Sequence, residues 1–135
     1  MTGRIAKIAL VVVCFIFLLR AERVNMQVTV AVGTPVRLAT QTTFANRLLI
    51  QAKHGNTGII QVMLGVPVGT TCDPTNPAHL TAELGPGDAT HPGSTLSDPQ
   101  GANGNSPPDA ENLALACVSG TVNSDVAIIS YYRRN

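Results

Sequence analysis

Apolar and polar side chains alternate with a period of two along residues 27–32, where Val28, Val30 and Val32 fall on one face and Gln27 and Thr29 on the other. That is the spacing of a half-buried β-strand. Pro35 interrupts it before a second, short strand over 36–38, because proline cannot donate to a sheet ladder. Residues 46–52 and 59–64 are almost continuously apolar, as strands covered on both faces are. Between them the segment Gly55-Asn56-Thr57-Gly58 supplies residues that tolerate positive φ. The pattern predicts a β-hairpin with Gly55, Asn56 and Gly58 as its structural turn. Arg47 stands inside the first of these runs and is read as outward-facing, with an interface contact as the alternative.

Beyond Gly65 the texture changes. Pro67, Gly69, Pro74 and Pro77 mark a loop before a strand over 80–84, and Gly85, Pro86 and Gly87 form the next turn signal. A polar stretch then runs from 89 to 111, too long for an ordinary connection and of the size expected of a binding loop or a poorly ordered segment. Within it Leu96 docks the stretch or begins a brief strand. Residues 112–119 and 124–132 read as two closing strands joined around Gly120, a second hairpin. Seven to eight short strands with turns between them predict an all-β fold, a single small β-sandwich or jelly-roll-like domain over 26–135 with a long loop at 85–111. Sheets of this kind leave edges open, so a homo-oligomer is expected.

Composition narrows the function classes. A chain of 135 residues accommodates one domain, and 12 Gly with 9 Pro argue against a helical one. Residues 1–25 carry Arg4, Lys7, Arg20 and Arg23 against Glu22, a net +3, which leaves −2 for the rest of a chain whose total is +1. A slightly acidic module without a basic stripe is not built for nucleic acid.

Residues 8–19 form an unbroken apolar run after Arg4 and Lys7 that a helix could accommodate. Three readings of the 1–25 segment stand side by side. A signal peptide fits the basic start, but no small-x-small cleavage site follows. A membrane anchor would be short, and would bring a membrane contact only if residues 1–25 are retained. A translation start at Met26 would make the segment a mis-called start, since strand alternation begins at once after it.

Candidate chemistry is sparse. Cys72 and Cys117 would close a loop of about 45 residues if the chain is exported, worth about 3–4 kcal/mol. In a reducing compartment they would instead be a loop thiol and a small core residue. His54, His79 and His91 lack metal-ligand spacing. Asp73, Asp88, Asp98 and Asp109 sit in turn contexts, where capping is the expectation and calcium the alternative. A Cys72/His79 nucleophile pair lacks an orienting third group. No catalytic residue, cofactor site or metal site is assigned, and an enzyme is not expected.

The succession over 34–65, followed by Leu84-Gly85-Pro86-Gly87, Cys117-Val118-Ser119-Gly120 and residues 125–132, resembles small tailed-bacteriophage virion proteins. The resemblance covers most of 27–135 and rests on structural motifs, none of which marks an active site. It implies a non-enzymatic head decoration, minor capsid or fibre-associated protein located in the virion, with capsid or other virion proteins as partners. The alternative is a secreted or membrane-anchored adhesion module that binds carbohydrate. It has few aromatic platforms to offer, with Phe44, Tyr131 and Tyr132 alone beyond the leader.

Overall fold

The computed structural model of this chain describes residues 22–88, 90–91, 93–98 and 110–133. They form nine strands: β1 (Glu22–Thr29), β2 (Val36–Arg37), β3 (Phe44–Ala52), β4 (Ile60–Met63), β5 (Leu80–Leu84), β6 (Thr95–Asp98), β7 (Ala110–Asn112), β8 (Cys117–Gly120) and β9 (Val126–Arg133). One antiparallel sheet runs β1-β9-β3, with β6 and β7 sharing the far side of β3; the other runs β2-β8-β4-β5. The domain is an all-β sandwich, as the strand pattern predicts. Two of the nine strands are only two and three residues long, which accounts for the surplus over the expected seven to eight.

Alternation turns directly into layers. Leu48, Ile50 and Ile129 point from the first sheet toward Ile60, Val62 and Val118 of the second, and all six are at most 1% exposed. Each such side chain contributes about 1.5–3 kcal/mol by leaving water. Met63, Val66, Cys72 and Cys117 form a second, smaller cluster. Cys117 and Met63 alternate with the core residues Val118 and Val62, so this cluster lies behind the second sheet, under the 64–79 connection. That cover explains why β8 is buried on both faces.

The pairing overturns both predicted hairpins. β3 pairs with β9, β6 and β7, whereas β4 pairs with β5 and β8. Residues 53–59 therefore cross from one sheet to the other instead of reversing within one. The same holds for β8 and β9, whose link at 121–125 also changes sheet. Among the described residues only β4 and β5 are consecutive strands that pair, through the long 64–79 connection. Gly-Asn chemistry marks a reversal of chain direction, and an arch between sheets needs that reversal as much as a hairpin does.

Five further expectations also differ. β1 begins at Glu22, four residues before the domain boundary drawn at Met26, because Arg23, Val24 and Asn25 continue the ladder to Tyr132, Tyr131 and Ser130. It ends at Thr29, and Val32, which shares a turn with Gly33 between Ala31 and Thr34, is 55% exposed. A 3₁₀ turn at Leu113–Leu115, capped by the Asn112 side chain, splits the strand expected over 112–119. Gly85, Pro86 and Gly87 form no reverse turn: neither glycine has positive φ, and Gly87 bridges His54 in a parallel sense. The 89–111 stretch contributes β6 and most of β7 rather than a single loop. The apolar run at 8–19 and Asp109 lie outside the described residues. Among the described residues no helix is long and apolar enough to cross a membrane.

Candidate functional site

Three polar constructions stand out, two of them directed inward. At one end of the sandwich the crossings β1–β2, β3–β4 and β8–β9 meet. The Asp125 carboxylate, 5% exposed, accepts the amides of Thr57 at 3.0 Å and Gly58 at 2.7 Å. Its backbone carbonyl accepts from the Val30 amide. Beside it the Asn56 carboxamide acts as an extra rung of the ladder: its Nδ2 donates to the Val126 carbonyl and its Oδ1 accepts from the Val126 amide, both at 2.9 Å. Thr121 Oγ1 accepts the Ile59 amide at 2.8 Å. Hydrogen bonds to an ionised acceptor are about twice as strong as neutral ones, so this end is firmly closed.

The predicted turn residues are here, in two different roles. Gly55 has φ 87° and open space around it, so its backbone conformation is what calls for glycine. Gly58 has no positive φ. A β-carbon there would stand 2.6 Å from Val122, 2.7 Å from Thr121 Oγ1 and 2.9 Å from the Asp125 carboxylate, so the requirement is close approach.

The second construction surrounds Arg37. Its guanidinium donates to the carbonyls of Ala114 at 2.6 Å, Thr70 at 2.7 Å, Val66 at 2.8 Å and Pro67 at 3.3 Å. No carboxylate takes part in these bonds. The planar fork suits this task, because its donors diverge in fixed directions. Cys72 and Cys117 are joined in a disulfide with their Cα atoms 6.4 Å apart, beside this cage, since Arg37 pairs with Cys117 in the ladder. Loop 66–72 is thus held at both ends. The disulfide leaves no Cys72 thiol to pair with His79, whose Nδ1 instead accepts the Asp73 amide.

Two of the loop carboxylates, Asp73 and Asp88, cap backbone, whereas Asp98 ends β6. Asp73 accepts from the hydroxyl and amide of Thr75, which lower its pKa. Asp88 accepts from the hydroxyl and amide of Thr90 and from His91, and these bonds hold it well below the usual carboxylate range. Among the described residues no group of three or more His, Cys, Asp or Glu side chains gathers as a metal site would require.

The third construction faces solvent. A shallow cleft of about 290 Å³ on the outer face of the first sheet is lined by Arg23, Arg47, Leu49, Ser97, Ser130, Tyr131 and Tyr132. Cross-strand register assembles it: Arg23 pairs with Tyr132, which also pairs with Asn46, and Ser130 pairs with Leu49, which also pairs with Ser97. Arg47 joins them through a bulge. From Asn46 to Leu49, β3 takes three steps where β9, from Tyr132 to Ser130, takes two. Arg47 is exposed, as expected, but simple alternation from buried Ala45 would have turned it inward. Its φ of 51° places a non-glycine residue in the left-handed region, which costs about 1–2 kcal/mol.

Sequence reasoning missed the roles of Arg37 and Asp125 and the grouping of Arg23 with Tyr132. Asp125 was visible only as the start of the closing strand, and Arg37 offered no local signal, since its partners are backbone atoms of distant segments. The fold and these constructions define a small, internally cross-tied β-sandwich with an open cleft on the outer face of its first sheet. Comparisons with protein-family models and with curated proteins give no match to this chain.

Proposed function

We propose that the chain is a non-enzymatic structural protein of a bacteriophage virion, decorating or stabilising the capsid through oligomeric contacts of its sandwich. The observation that carries this reading is the edge of β1 that no described strand covers. All eight residues of that strand pair with β9 on one side, and no described strand pairs on the other. Neither proline nor a bulge interrupts it, so it offers a straight template for strand addition by a neighbour. The inward investment of Asp125, Asn56 and Arg37 supports the same reading, since rigidity is what a lattice component needs. The disulfide suits a particle that meets oxidising surroundings.

The test is fractionation of source material into particles, membranes and soluble protein, followed by peptide quantification and imaging of the particles. Ordered copies in fixed ratio to the major capsid protein are the expected result. Recovery from membranes or medium alone would overturn it in favour of an adhesion module, a reading that the Tyr132-lined cleft favours.

A further inference from the structure

We infer that the cleft on the outer face of the first sheet binds a carboxylated sugar, a uronic or sialic acid unit, free or within an acidic polysaccharide. The inference does not depend on the virion reading.

Its first ground is the use made of two arginines. Arg37 commits its guanidinium to four carbonyls, whereas Arg23 and Arg47 line one small cleft and make no hydrogen bond or ion pair with a described residue. Among the described residues the one ion pair is His91 with Asp88, far along the chain from either arginine. Two uncommitted guanidinium forks at one cleft match the planar, two-oxygen geometry of a carboxylate. The second ground is the bulge. An extra residue in β3, held in the left-handed region, turns Arg47 to the face that Arg23 occupies; strained backbone of this kind is typical of sites where a side chain has been re-aimed.

The remaining lining selects the body that carries the carboxylate. Leu49 and Tyr132 supply apolar surface for the C–H face of a ring, the use that binding sites make of tyrosine. Ser97 and Ser130 supply hydroxyls; Ser130 Oγ donates to Asn25 at 2.7 Å, which leaves its lone pairs to accept from a sugar hydroxyl. An inorganic anion would leave Leu49 and Tyr132 unused, and a neutral sugar would leave both guanidiniums unpaired. About 290 Å³ lies at the lower limit of small-molecule sites, the size of one ring rather than an extended chain.

The experiment is an amide chemical-shift titration of the full ¹⁵N-labelled chain with sodium glucuronate and N-acetylneuraminate, with glucose and inorganic phosphate at matched ionic strength as comparisons. Saturable shifts at Leu49, Ser97, Ser130 and Tyr132 with an acidic sugar, and none with glucose, are expected. Arg47→Gly keeps the positive φ without strain while removing the guanidinium, and Arg23→Gln removes the other. Each should weaken binding at least tenfold, about 1.4 kcal/mol, with an unchanged far-ultraviolet spectrum. Equal binding of glucose, equal binding of phosphate, no saturation, or wild-type affinity in a folded Arg47→Gly or Arg23→Gln variant would each overturn the assignment. A longer acidic oligosaccharide binding more tightly than the monosaccharide would identify a polymer as the source.

Discussion

Asp125 receives the Gly58 amide at 2.7 Å across 67 positions of sequence, so one carboxylate of the β8–β9 crossing closes the β3–β4 crossing. Replacing it with Ala would leave the Thr57 and Gly58 amides without their acceptor at a site that is largely closed to water. Hydrogen bonds to a charged group are worth about 1.5–3 kcal/mol each, so D125A should lose about 3 kcal/mol or more, and D125N, which keeps one acceptor, less. Urea denaturation measures both, and a wild-type midpoint for D125A would show that the tie adds nothing.

The two glycines of the arch should respond differently to the same replacements. Gly55→Ala should cost about 1 kcal/mol through its backbone conformation, and Gly55→Asn less, because asparagine enters the left-handed region readily. Gly58→Ala should cost about 1–3 kcal/mol by crowding Val122, Thr121 and Asp125, and Gly58→Asn more. Thermal melts of the four variants distinguish the mechanisms. Milder behaviour of Asn than Ala at Gly58 would contradict the close approach.

The Cys72–Cys117 link spans a sequence separation of 45. Chain-entropy reasoning assigns it about 4 kcal/mol, so the doubly substituted Cys72→Ala, Cys117→Ala protein should unfold at markedly lower denaturant concentration. Chemical reduction of the wild type should reproduce the shift. Identical midpoints with and without reductant would refute this.

Arg37→Lys keeps the charge and loses the fork. A single ammonium cannot reach the carbonyls of Val66, Pro67, Thr70 and Ala114 together, so a loss of about 1–3 kcal/mol is expected. The Val66 amide, bonded to the Leu115 carbonyl beside the cage, should then exchange its hydrogen faster. Unchanged exchange there would mean that the disulfide alone holds the loop.

Hydrogen bonds from the Thr90 hydroxyl and amide, and then from His91, depress the Asp88 pKa below its ordinary value of 3.8. A depressed carboxylate favours the folded turn fully above the ordinary value and loses that contribution as pH falls toward the lowered one. The Thr90 and His91 amide shifts should therefore hold steady down to about pH 4 and move only in stronger acid. Movement centred above 3.8 would contradict the capping geometry.

What local chemistry determines was legible in the sequence. The strand expected over 80–84 is β5, Leu80–Leu84, and the apolar runs around 46–52 and 59–64 became β3 and β4, because alternation and β-branched content act within a few residues. The roles of Asp73 and Asp88 as turn caps were equally local. Pairing partners were not. Residues 55–58 carry the same reversal signal for a hairpin as for an arch, and the choice was made by Asp125 and Val126, some 70 positions away. The outward turn of Arg47 required a one-residue bulge that Ala45 and Leu48 impose by both seeking the core. Cys72 and Cys117 could be read as bonded or free until the 64–79 connection folded behind the second sheet and brought their Cα atoms to 6.4 Å. Sequence by itself determined where strands form, since that depends on neighbours along the chain; only the tertiary structure decided which strands meet and which side chains share a surface, since those depend on neighbours in space.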